Sequence, residues 1–152
     1  MPDIMPPDQP KTTRQRWMAV LARADADDLQ GRLPDLPDYT VLRGPEAGLV
    51  MVRGRTGGGG APFNLGEMTV TRCSVRIEAG LIGHAYVAGR NERLAELAAL
   101  ADALLQDPTR QPGLLQTVIE PLAASQQARR AETAAKAAAT RVQFFAMQNM
   151  RA

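Results

Sequence analysis

Hydrophobic positions along the chain change period twice. Trp17, Val20, Leu21 and Ala24 recur at the i, i+3, i+4, i+7 spacing of one helix face, with Thr12 or Thr13 placed to cap it. Asp25 offers a cap for a second, short helix through Leu29, which Pro34 stops, and PDLPDY (34–39) reads as a linker. From Tyr39 the period drops to two. The β-branched runs Tyr39–Arg43, Gly48–Arg53, Glu67–Glu78 and Leu81–Ala88, with a turn at Gly44-Pro45, predict four strands. Their short connections favour antiparallel pairing. After Gly89 the helical period returns: Leu94, Leu97, Ala98, Ala101, Leu104 and Leu105 form a stripe that ends near Pro108. Leu114, Leu115, Val118, Ile119 and Leu122 begin another. The expected fold is α+β, a four-stranded, mainly antiparallel sheet (about 39–88) flanked by N-terminal helices and long C-terminal helices.

Three segments follow from this pattern. Residues 1–10 hold four prolines and no apolar period, which predicts a disordered lead-in. Residues 11–122 form a single α+β domain, and 123–152 an Ala-rich helix that can run to about Met150, with Pro121 either kinking it or opening it. Ala124, Ala128, Ala131, Ala135, Ala138, Val142 and Phe145 are spaced 4, 3, 4, 3, 4 and 3 apart, a heptad seam of small residues that ends in bulk. Alanine buries little area, so this seam either docks on a partner's backbone or is a solvated helix held by propensity alone. The crowding of Phe144, Phe145, Met147 and Met150 at its end favours docking.

Composition narrows the class. With 152 residues and 45% hydrophobic positions, one domain can bury a core of its own. A single cysteine, Cys73, excludes a disulfide scaffold, and with a single histidine, His84, makes a self-contained zinc site improbable. Apolar runs are too short to cross a bilayer, and the first ten residues lack a signal-peptide layout, so a soluble, cytoplasmic protein is expected. The net charge of +2 is uneven: residues 123–152 carry Arg129, Arg130, Lys136, Arg141 and Arg151 against Glu132, a balance of +4, which leaves −2 on the rest. Sixteen of the 18 basic residues are Arg, a bias that coding composition explains as readily as phosphate recognition does. Aromatics at 4% and the lack of a nucleic-acid motif argue against a nucleic-acid reader.

Reactive constellations are sparse. Arg53-Gly-Arg55-Thr-Gly-Gly-Gly-Gly60 could turn backbone N–H groups toward an anion, but no Lys-Ser/Thr or helix follows, so it is not a P-loop. A flexible strand connection is the plainer reading. Asn64 and Glu67 are poor strand formers, which points to a turn or to a contact outside the domain. A two-residue turn at Ala79-Gly80 would set Cys73 opposite Tyr86 and Val75 opposite His84, with Cys73 and His84 diagonal on one face. A register change of one residue would put them on opposite faces, and no orienting third group is visible, so a packed cysteine and a hydrogen-bonded strand histidine are expected.

The strings Leu42-Arg-Gly-Pro-Glu46, Gly48-Leu-Val-Met-Val-Arg-Gly-Arg55, Gly60-Ala-Pro-Phe-Asn-Leu-Gly-Glu-Met-Thr-Val-Thr-Arg-Cys-Ser-Val75 and Gly83-His-Ala-Tyr-Val-Ala-Gly-Arg90 resemble the PhnG family, the G subunits of the bacterial carbon-phosphorus lyase system. The resemblance runs from about Arg14 to Leu122 and is strongest over 42–90. It implies an accessory subunit, itself without catalytic residues or cofactor, in a complex with H, I and J subunits and with L for activity. It also implies that MgATP is a substrate of that complex, whose adenine an alkylphosphonate displaces to give a ribose 1-phosphonate 5-triphosphate. Arg53, Arg55, Asn64, Glu67, Arg72 and His84 are then the candidates for subunit contact or for a shared site. The alternative is a non-enzymatic module that binds a small ligand or nucleic acid.

Overall fold

A computed structural model describes residues 12–33, 35–55 and 60–142. The expected lead-in (1–10), the middle of the glycine run and Phe145 lie outside them. Helix α1 (Thr13–Leu21) starts in a capping box: Thr12 Oγ1 accepts from the Gln15 N–H at 3.2 Å, and Gln15 Oε1 accepts from the Thr12 N–H at 2.8 Å. Asp25 caps α2 (Ala26–Arg32) through the N–H groups of Asp27 and Asp28. A meander of β1 (Tyr39–Gly54), β2 (Phe63–Ile77) and β3 (Ile82–Ala88) follows, antiparallel in the order β1-β2-β3. Asn91 caps α3 (Glu92–Leu105), which lies across one sheet face and buries Leu94, Leu97, Ala98, Ala101, Leu104 and Leu105 as its stripe predicts. Helix α4 (Gln111–Leu114), a π-turn (Leu115–Ile119) and α5 (Glu120–Ala139) complete the chain.

The sheet has three strands, not four, because Gly44-Pro45 does not turn the chain. Between Arg43↔Ser74 and Glu46↔Arg72, β1 spends one residue more than β2, and another extra residue falls at Leu42. Each is absorbed as a β-bulge. Pro45 is tolerated because β1 is an edge strand, where a missing N–H removes no ladder bond. The β2–β3 connection also differs from expectation. Ile77 N–H donates to the Leu81 carbonyl (3.0 Å), which leaves three residues in the loop, and Gly80 takes the left-handed φ of +84° that such a loop requires.

Pro121 stands in the first turn of α5, as an opening proline does. It lacks an N–H, and its ring crowds the preceding turn; the π-turn just before it, with Glu120 N–H bonded to the Leu115 carbonyl, supplies the room. Leu122 anchors the start of α5 in the core, but every residue from 127 to 139 is exposed. The helix stops at Ala139, short of the expected Met150. Thr140 adopts φ −100°, ψ 7° and its hydroxyl donates to the Ala137 carbonyl at 3.2 Å, a local bond that competes with continued helix. Ala124, Ala128, Ala131, Ala135 and Ala138 therefore share one solvent-facing stripe, with Val142 beyond the helix end.

Candidate functional site

The one-residue change in loop length decides the chemistry of the sheet. Cys73 opposes Ala85, and Ser74 opposes His84, so Cys73 and His84 point to opposite faces. Cys73 packs under α3, 2% exposed, and burial, helped by the charge of Glu96, pushes its thiol up to about 11. At pH 8 only about one thiol in a thousand is then ionised, and the thiolate is the reactive form. Ellman's reagent is expected to label Cys73 at least a hundredfold more slowly in the native chain than in denaturant.

His84 turns outward, as a hydrogen-bonded strand histidine. Its Nδ1 lies 2.8 Å from Ser74 Oγ. Arg72, opposite Tyr86, shares that outer face, and Arg72 Nε donates to Glu46 Oε1 at 2.8 Å. Arg43 donates to the same oxygen, and the two guanidiniums, Arg43 first, hold the Glu46 carboxyl below its usual range. Arg43, Glu46, Arg72, Ser74, His84 and Tyr86 thus form a polar face on the side of the sheet away from α3.

Arg53, Arg55, Asn64 and Glu67 are elsewhere. The last rung of the three-stranded sheet is Val70↔Ala88; beyond it β1 and β2 continue as a two-stranded ribbon over 49–54 and 63–69. Its seven residues on β2 reach about 24 Å past the core. Glu67 sits opposite Met51 and Arg53 opposite Asn64, all exposed, and Arg55 follows the strand end. The ribbon is apolar where it should be wet: Leu49 is 64% exposed, Met51 54%, Phe63 49%, Leu65 48% and Met68 43%. Register spreads these over both sides, because Leu49 and Met51 alternate with Val50, whose partner is Met68. A third bulge, at Leu65, lays that side chain over Gly54, where an added Cβ would come within 2.6 Å of Leu65 Cδ1. A two-stranded ribbon is marginal alone in water, and a contiguous apolar surface of this kind marks an interaction site.

One residue that governs the site's geometry was not singled out in the sequence. Asp102 of α3 is fully buried, and its carboxylate accepts from Arg14 Nε (3.1 Å) and Nη2 (2.8 Å), Trp17 Nε1 (2.8 Å) and the His84 backbone N–H (2.9 Å). Gln106 Nε2 adds a longer contact of 3.4 Å, so both oxygens are engaged by donors of this chain. Its role is to tie α1 and β3 to α3. The signal was its position, a lone charge within LAALADALL (97–105). No cluster of metal-ligating side chains occurs among the described residues, and no helix among them is long and apolar enough to cross a membrane.

The family model described as "Phosphonate metabolism protein PhnG" matches residues 12–150. A protein of Rhizobium meliloti (strain 1021) is 44% identical over 137 residues, which cover 88% of this chain and 87% of the relative. That relative is named alpha-D-ribose 1-methylphosphonate 5-triphosphate synthase subunit PhnG. The match spans the ribbon, the polar sheet face and the Asp102 tie alike, and the chain belongs to the PhnG family of phosphonate metabolism proteins.

Proposed function

We propose that this chain is a non-catalytic subunit of an alpha-D-ribose 1-methylphosphonate 5-triphosphate synthase, acting with H, I and J subunits and with L for activity, and that it assembles through its β1–β2 ribbon. The relative's name, a subunit of that synthase, supports a place in such a complex. The observation that carries the second is the ribbon's apolar exposure on both sides, which only a clamp-like partner surface removes from water. In this reading Arg53, Arg55, Asn64 and Glu67 supply polar contacts around the same interface. MgATP and phosphonate bind to the assembly, and no cofactor belongs to this chain.

Leu49→Lys with Met51→Lys tests it. Burying two such side chains contributes about 1.5–3 kcal/mol each, so the pair is expected to weaken copurification with the I subunit roughly a hundredfold or more. The circular dichroism spectrum should stay that of the parent, since both side chains lie outside the core. The purified parent chain alone should release no adenine from MgATP with methylphosphonate. Unchanged copurification of the double variant, or turnover by the isolated chain, contradicts the proposal.

A second reading has its own observation, the grouping of Arg72, Ser74, His84 and Tyr86 on one open face. There the chain lends side chains to a shared phosphonate or triphosphate site. Arg72→Ala with His84→Ala separates the two: assembly with lost synthase activity favours the shared site, and full activity favours the ribbon alone.

A further inference from the structure

We propose that the groove between the α1–α2 corner and α5 binds an oligophosphate group. Arg23 stands on one wall and Arg129 and Arg130 on the other, around a space of about 500 Å³ floored by Ala134 and Ala137. No carboxylate among the described residues lines it. The gathering of three uncompensated arginines in one groove is the first argument; Arg16, Arg53, Arg55, Arg76, Arg90 and Arg141 also lack an ion pair among the described residues but do not line this groove. Arg14, Arg32, Arg43, Arg72, Arg93 and Arg110 each meet an Asp or Glu, whereas Arg23, Arg129 and Arg130 form no ion pair among the described residues. Glu132, the acid nearest in sequence on α5, is held by Lys136 at 2.7 Å.

The second argument is that the walls are fixed to each other. Gln126 Nε2 donates to the Val20 carbonyl at 2.8 Å, joining α5 to the end of α1 three residues before Arg23 and three before Arg129. Of the carbonyls that end α1, Met18, Val20 and Leu21 already accept from Ala22, Arg23 and Ala24, and Val20 accepts from Gln126 as well. Thr133 spends its hydroxyl proton on the Arg129 carbonyl (3.0 Å), so the guanidiniums are the donors that face the groove. Each presents a planar fork that matches two phosphate oxygens. Three such forks on facing walls call for an anion with several charges and oxygens along its length, and the apolar floor strengthens the attraction by keeping water from one side.

The groove residues Gln126, Arg130, Thr133 and Ala137 follow one stripe of α5, turned roughly half a circle from the alanine seam. The site is thus apart from the seam, none of its lining residues belongs to the ribbon, and the chain by itself suffices to test it. Calorimetric titration of the full chain with phosphate, pyrophosphate and tripolyphosphate at low salt is expected to show affinity rising with chain length. Arg129→Gln with Arg130→Gln should lower tripolyphosphate affinity at least tenfold without moving the melting temperature of the unliganded protein, and Arg23→Gln should act in the same direction. A parallel titration with adenosine triphosphate tells a free oligophosphate from the phosphate tail of a nucleotide. Absent binding, equal binding by the parent and the double variant, or a glutamate-rich peptide that binds more tightly than tripolyphosphate would overturn the proposal, the last in favour of a protein partner.

Discussion

Gly83→Ala is expected to destabilise the domain by about 3 kcal/mol or more, at the upper end of what overpacking costs. Gly83 lies on β3 where α3 crosses most closely. A Cβ there would sit 1.9 Å from the Ala99 carbonyl oxygen and 2.6 Å from the Ala103 backbone nitrogen. These are backbone atoms of a buried helix and no rotamer change moves them, so α3 must retreat as a body. That retreat also stretches the 2.9 Å bond from the His84 N–H to Asp102. At roughly 2–4 °C per kcal/mol for a chain of this size, the melting temperature should fall by about 6–12 °C. Gly66→Ala is the control: an added Cβ meets nothing within 4 Å, so its stability should stay within about 0.5 kcal/mol of the parent. A melting temperature unchanged in Gly83→Ala would mean that α3 and β3 are not packed in this way.

Asp102→Ala should cost about 3–5 kcal/mol, the loss expected when one partner of a buried charged set is removed. Three groups lose their acceptor together: the Arg14 guanidinium, the Trp17 indole N–H and the His84 backbone N–H. The Arg14 side chain is 41% exposed and can turn to water once Asp102 is gone, so the cost of Asp102→Ala falls on the other two groups. The indole and the strand amide have no such escape, since Trp17 is 3% exposed. Asp102→Asn keeps the shape and one acceptor oxygen; it should cost less than Asp102→Ala and remain folded enough for urea titration. Coupling of about 0.5–3 kcal/mol between Arg14 and Asp102 in a double-mutant cycle would confirm the direct pair. An Asp102→Ala variant as stable as the parent would show that the indole and amide contacts carry nothing.

Local signals in the sequence placed what local physics decides. Thr12 and Asp25 cap helices because each puts a side-chain oxygen over free N–H groups. The apolar stripe from Leu94 to Leu105 marks α3, since one helix face must be dry. What failed depends on pairing between distant residues. Gly44-Pro45 has turn chemistry, yet the partner strand runs straight past it and the extra residue becomes a bulge. One residue in the 78–80 loop moved His84 from beside Cys73 to beside Ser74. Of the six candidate site residues, Arg72 and His84 meet on the outer sheet face, while Arg53, Arg55, Asn64 and Glu67 lie on or beside the ribbon, a split that no local pattern encodes. Asp102 was legible as a lone acid in an apolar helix, but its partners Arg14 and Trp17 lie 88 and 85 residues away.

The ribbon's role is open to direct measurement by amide hydrogen exchange over 49–54 and 63–69, in the free chain and after assembly with the I subunit. In the free chain these strands pair only with each other and should exchange quickly, while the core amides of β2 and α3 stay protected. Assembly should slow exchange along both ribbon strands by at least tenfold. Ribbon exchange that stays as fast in the complex as in the free chain would contradict docking through this arm.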